Sequence, residues 1–216
     1  LKEGMIQTIA REARKAGTVI NYVPKERLNQ MSETGSHQGV IAVVASFDYA
    51  EVEDILQKAR DKGEAPFLFL LDGIEDPHNL GSILRSADAT GVDGIIIPKR
   101  HATGLTSVVA KTSTGAIDYV PVARVNNLVQ TTKELKKRGY WIFGTDMAGV
   151  DYREWNANGK TVLVIGNEGK GIAPLLKKQM DQTITLPMIG HVQSLNASVA
   201  TGVLLYQAFN SRHPLK

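Results

Sequence analysis

Three short segments hold the residues whose types and spacing could do chemistry. The first, Asp76-Pro77-His78-Asn79-Leu80-Gly81-Ser82-Ile83-Leu84-Arg85-Ser86-Ala87, sets an amide and a guanidinium six positions apart. Asn79 sits where a helix N-cap belongs, and Arg85 lies on the helix it opens. Six residues do not place the two on one helical face, but both can reach a site above a strand end. Arg85 carries five N–H donors in a planar fork and stays protonated, so it suits a phosphate or a developing oxyanion better than the role of general base. The second segment, Ile165-Gly166-Asn167-Glu168-Gly169-Lys170-Gly171-Ile172, has three glycines within six residues, which let backbone approach a ligand closely. The third runs from Leu186 to Ala200. It carries Ser194 and Asn196 as natural helix caps, then the small residues Ala197, Ser198, Ala200 and Gly202, which permit close packing of a ligand or another segment. Each also has a purely structural reading: a capped surface helix with a solvated arginine, a tight strand-to-helix turn, and an N-capped final helix.

The elements that must position these segments follow from the pattern between them. From Ala65 onward the chain alternates strands and helices. Strands are predicted over Pro66–Asp72, Gly94–Pro98, Tyr119–Ala123, Tyr140–Thr145, Thr161–Ile165 and Thr183–Leu186. Helices are predicted over Asn79–Thr90, Asn126–Arg138, Ala173–Met180 and Asn196–Asn210. Continuous apolar strands alternating with helices imply an α/β domain with a mostly parallel sheet covered on both faces, whose ligands bind beyond the carboxyl ends of the strands. All three chemical segments follow a predicted strand. Residues 1–46 read as a small α/β unit, with helices at Met5–Lys15 and Lys25–Met31 and strands at Thr18–Val23 and Gly39–Ala45. Residues 47–65 hold a charged amphipathic helix, Tyr49–Lys62, read as a connection, and 66–216 form the larger domain.

Composition bounds what these parts can do. With 216 residues, 43% hydrophobic and 22% charged, the chain can bury a core without staples. The absence of cysteine excludes disulfides, thiolate metal sites and cysteine nucleophiles. The five histidines show no ligand spacing, so no metal is expected, and His78 is expected to be exposed rather than catalytic. A net charge of +3 and a pI near 9.0 permit an anionic partner without requiring one. No apolar run is long enough to span a bilayer, and no signal peptide is visible, so a cytoplasmic setting is expected. The glycine loop lacks both the Walker spacing and the dinucleotide fingerprint.

Taken together, N-x-G-S-I-x-R-S-A, then G-x-E-G-x-G, then L-P-M…S-L-N-x-S-x-A, in that order, closely resemble the three motifs of the SpoU (TrmH-like) RNA ribose 2′-O-methyltransferases over about residues 66–216. His37-Gln38-Gly39-Val40-Ile41-Ala42 resembles the end of that family's substrate-binding domain, an L30e-like fold. It points to the branch that methylates a guanosine in 23S rRNA. The resemblance implies a C-terminal trefoil knot (the SPOUT type), S-adenosylmethionine as cofactor, RNA as partner and a homodimer with its site completed across the interface. Neither DNA nor membrane is expected as a partner. It further implies that Gly166, Leu186 and Leu195 hold the cofactor mainly through backbone, with Thr145, Gly144, Ile165, Met188 and Asn196 as neighbours. Arg85 is implied to act at the 2′-hydroxyl or its phosphate, Asn79 to orient Arg85 or the ribose, Glu168 to fix Arg85 or the loop, and Ser194 and Asn196 to bond target or cofactor. Arg11, Arg14, Lys15, Lys99, Arg100 and Lys111 are candidates for RNA phosphates, each also readable as a solvated charge. The apolar stripe Val199, Val203, Leu204 and Phe209 could serve the dimer or the domain's own core. A family member of this kind would carry about one more strand and helix before Leu1, so a fragment is expected. Rival readings are a tRNA ribose methyltransferase, an antibiotic-resistance rRNA methyltransferase, a base methyltransferase of the same superfamily and a catalytically silent RNA binder.

Overall fold

A computed structural model describes residues 3–15, 18, 20–32, 35–42, 47–192 and 194–215. The chain divides into two compact units, Leu1–Ala45 and Ser46–Lys216.

The first unit holds α1 (Glu3–Lys15) and α2 (Lys25–Met31). Arg14 and Lys15 sit in the last turn of α1, where cations complement the helix dipole. His37 staples the following turn, accepting the Gly39 N–H on Nδ1 (2.9 Å) and meeting Asn29 Oδ1 through Nε2 (2.9 Å). The two expected strands are not found among the described residues: 20–23 and 39–42 join no ladder, while Val19 and 43–45 lie outside the description. A strand exists only where a neighbour takes its backbone bonds, and the described part of this unit offers none. Tyr22 is instead exposed, its hydroxyl accepting from Arg14 at 2.7 Å.

The second unit runs α3 (Val52–Asp61), β1 (Phe67–Asp72), α4 (Pro77–Ala89), β2 (Gly94–Pro98), α5 (Ser107–Ser113), β3 (Val122–Val125), α6 (Leu128–Lys137), β4 (Trp141–Asp151), β5 (Thr161–Gly166), α7 (Pro174–Lys177), β6 (Gln182–Thr185) and α8 (Ala197–Arg212). The strands form one sheet in the order β3-β2-β1-β5-β4-β6, every pairing parallel. The period of two in β1 divides the core. Phe67, Phe69 and Leu71 face one side, where α4, α5 and α8 bring Leu80, Ile83, Val109, Leu204 and Leu205. Leu68 and Leu70 face the other, where α3, α6 and α7 bring Ile55, Leu56, Leu128, Leu135 and Leu176. The segment read as a connection thus contributes a helix to the sheet's cover: Ile55 lies so close to Gly94 that a Cβ there would fall 2.5 Å from its Cγ2.

Several elements depart from expectation, among them an unexpected α5. The strand expected from Tyr119 starts at Val122, because Thr114 and Gly115 turn the chain with φ of 50° and 95° into a 3-10 helix at Ala116–Asp118, leaving Tyr119 exposed. The helix expected over Ala173–Met180 shrinks to one turn, since Met180 N–H bonds the Lys177 carbonyl in a tighter i to i−3 pattern. β4 runs six residues past Thr145, to Asp151, but Thr145 and Val150 both sit opposite Ile184, so 146–149 bulge out of the ladder. Gly149 lets the bulge close against β6, where a Cβ would lie 2.5 Å from the Ile184 nitrogen.

Candidate active site at the strand ends

β5 ends in a closed turn. Asn167 N–H donates to the Gly171 carbonyl (3.1 Å) and Gly171 N–H returns to the Asn167 carbonyl (2.8 Å), so Glu168, Gly169 and Lys170 project as a loop. The Asn167 side chain fastens it, donating to the Gly73 carbonyl (2.9 Å) and accepting from the N–H groups of Gly169 (3.0 Å) and Lys170 (3.2 Å). Asp72 secures the loop's far end by accepting the Ala173 N–H at 2.7 Å. Gly166 is required where strand and loop close, since a Cβ there would lie 2.2 Å from the Gly171 carbonyl carbon.

The three segments meet above this turn. Asn79 donates through Nδ2 to Glu168 Oε1, and Asn196 Nδ2 donates to Asn79 Oδ1 (3.0 Å) and to the same Glu168 oxygen (3.4 Å). The Ala197 N–H also points at Glu168 Oε1 (3.4 Å). Asn196 caps α8 as expected, its Oδ1 accepting the N–H of Ser198 (2.9 Å) and Val199 (3.3 Å) and the Ser198 hydroxyl (2.6 Å). Asn79 is not the cap of α4. Asp76 is, accepting the His78 N–H (2.9 Å) with Pro77 in the first turn, and Asn79 lies inside the helix with 6% of its surface exposed. Because Asp76 takes the capping, the Asn79 amide is available to link two other elements.

Arg85 is not part of this cluster. It lies exposed on α4, with no hydrogen bond or ion pair among the described residues, and Glu168 is held by the two asparagines in its stead. Ser194 is exposed in the loop before α8, also without a bond among the described residues. His78 is exposed, as expected, with Nδ1 3.4 Å from the Thr112 hydroxyl.

A cleft of about 650 Å³ opens beside the cluster, between the β5 loop, the β4 bulge and the segment after β6. Of the cofactor neighbours expected from sequence, Gly166, Leu186, Leu195, Thr145, Ile165 and Met188 line it. Gly144 does not, and a Cβ there would lie 2.5 Å from Met180 Sδ, while the Asn196 amide is turned to the cluster. Ser194 and Glu168 line the cleft as well. The sequence reading missed Asp146 and Met147, which the bulge carries into the cleft, and gave Lys170 no role. The signal for the first two was available, because they follow the apolar run of β4 at its carboxyl end, where ligands of parallel sheets bind. Asp146 is fixed from two sides, by the Ala148 N–H (3.0 Å) and by an ion pair with Lys177, and these donors hold its carboxyl below the usual carboxylate range, the lysine most strongly.

The cleft fits S-adenosylmethionine. Its size is that of small-molecule sites, apolar side chains supply flat walls for an adenine, and the Asp146 carboxylate and the Lys170 ammonium suit the two ends of an amino acid. Among the described residues no helix is long and apolar enough to cross a membrane, and no cluster of acidic or histidine groups could hold a metal.

Comparison with known proteins agrees with this geometry. The SpoU rRNA methylase family matches residues 66–206, and the substrate-binding domain of RNA 2′-O ribose methyltransferases matches residues 1–50. YacO of Bacillus subtilis, assigned to the TrmH family of tRNA/rRNA methyltransferases, is 53% identical over 99% of this chain and 86% of its own length. Among solved structures, the SpoU methyltransferase AviRb of Streptomyces viridochromogenes, in complex with AdoMet, is 30% identical with a TM-score of 0.69, over 77% of this chain and 66% of that one. An AdoMet-bound rRNA methyltransferase of Sinorhizobium meliloti is 25% identical with a TM-score of 0.68, over 99% of this chain and 79% of that one.

Proposed function

This chain belongs to the SpoU rRNA methylase family and is an S-adenosylmethionine-dependent RNA methyltransferase, and from that premise we propose that it methylates a ribose 2′-hydroxyl, that of a guanosine in 23S rRNA. The observation that carries the reading is the Asn79–Glu168–Asn196 cluster, whose Glu168 lines the cofactor cleft. Methyl transfer to a hydroxyl needs little of the protein beyond alignment, a place for the proton and control of the flanking phosphates. The cluster offers donors and an acceptor for a ribose at the edge of the cofactor. S-adenosylmethionine, when bound, supplies an already activated methyl group. In this reading Arg85 holds a phosphate or the developing oxyanion, and Ser194 bonds the target or cofactor. Residues 1–46 form part of an L30e-like domain that holds the RNA, 47–65 join it to the rest, and 66–216 form the catalytic domain with a trefoil knot. The match of the substrate-binding family to residues 1–50 supports the first assignment.

The protein works as a homodimer in this reading. On α8, Leu204 and Leu205 are buried in the unit's own core, while Val199, Val203, Tyr206 and Phe209 stay exposed on the outer side. A second copy of this chain is the partner that such a stripe suits, and α4, which carries Arg85, packs directly against α8. The deciding experiment incubates the protein with unmodified ribosomal RNA, tRNA and labelled cofactor, and maps the product. Label on a guanosine ribose of 23S rRNA is expected. Label on tRNA alone, on another rRNA ribose, on a base, or on nothing overturns the substrate proposed.

A further inference from the structure

The geometry points to Glu168 Oε2 as the general base that takes the proton of the 2′-hydroxyl, an assignment that rests on the ribose-methylation reading above. Three donors converge on this carboxylate, Asn79 Nδ2, Asn196 Nδ2 and the Ala197 N–H, and all three bind Oε1. Oε2 has no partner among the described residues, and Glu168 lines the cleft. A carboxylate held by one oxygen and open at the other is oriented by the protein and still able to accept a proton. The other candidates are spent. Asp146 gives Oδ1 to the Ala148 N–H and Oδ2 to Lys177. Arg85 stays protonated and stands apart from the cluster. Neither His78 nor His191 lines the cleft. In the step, the 2′-oxygen forms a bond to the methyl carbon of S-adenosylmethionine as the carbon–sulfur bond breaks and its electron pair stays on sulfur. The hydroxyl proton passes to Glu168 Oε2 and then to solvent, leaving a 2′-O-methyl ribose and S-adenosylhomocysteine.

Glu168→Gln tests this with little disturbance. The amide oxygen of glutamine can still accept the three Oε1 donors, while an NH₂ replaces Oε2 and cannot take a proton. Calorimetry should give a dissociation constant for S-adenosylmethionine within about twofold of wild type, and filter binding should do the same for the RNA. Single-turnover methylation should fall by about 100-fold or more, the usual contribution of a positioned base. The same RNA carrying a 2′-amino group at the mapped target separates base from positioning residue. A neutral amine attacks with its own lone pair and sheds its proton to water afterwards, so Glu168→Gln should then lose less than about threefold. Loss of the same size on both substrates, or a near wild-type rate on the 2′-hydroxyl, overturns the assignment. A wild-type protein that labels no ribose overturns the ribose reading, and the base with it.

Discussion

Asp146 reaches the cleft only because β4 bulges there, and its ion pair with Lys177 keeps it ionised further into acid than a free aspartate. The sign follows from linkage. A carboxyl whose folded value is depressed contributes fully above its unfolded value and loses that contribution as the pH falls through the folded one. Between about pH 8 and about pH 5 Asp146 therefore stays charged, and the affinity for S-adenosylmethionine should owe no change to it over that range. Lys177→Met removes the largest cause of the depression, so the low-pH edge of cofactor binding should move upward. Calorimetric titrations at several pH values check both statements, and an edge that does not move shows that Asp146 is not a cofactor contact.

At the level of elements, the β5 turn is where a small change has the largest effect. Gly166→Ala places a Cβ 2.2 Å from backbone that cannot swing aside, so the loop must open or the strand end must shift. The expected cost is on the order of 1–3 kcal/mol in urea unfolding, with about a tenfold or greater loss of cofactor affinity. Gly169→Ala in the same loop meets only Asn167 Oδ1 at 3.6 Å and should be close to neutral, which makes it the control. Equal effects of the two would show that crowding at Gly166 is not what shapes the cleft. These elements differ in how openly the sequence displays them. β1, β2 and β5 are apolar runs with both faces covered, and such runs are plain in the sequence. The sequence puts the start of α4 at Asn79 rather than Pro77 because Asp76 and Asn79 are both capping types. Pro77, a residue favoured in the first turn, was the sign that decides between them. The bulge of β4 was not legible, since it depends on how two distant strands register, and neither was α5, whose short run carries no helical period of its own. The site was legible as three separate loops, but Asn79, Glu168 and Asn196 meet across 89 and 117 residues, which no local pattern encodes.

Over the whole molecule, the exposed apolar stripe on α8 sets the expectation for assembly. Sedimentation should find a dimer at micromolar concentration, and Tyr206→Glu with Phe209→Glu should give a monomer of unchanged circular dichroism. A wild-type monomer would remove the stripe from the interface. The sheet order adds a consequence in time. Asn79 leaves the ribosome early, and its partner Asn196 follows 117 residues later, a delay of roughly 6–23 s at about 5–20 residues per second. Until α8 is made, the nascent sheet can cover β1 and β5, but Glu168 has neither Asn196 nor the Ala197 N–H to hold it. A chain still being translated therefore has Asn79 and Glu168 without the partners that join them, and the cluster closes only when the final helix docks.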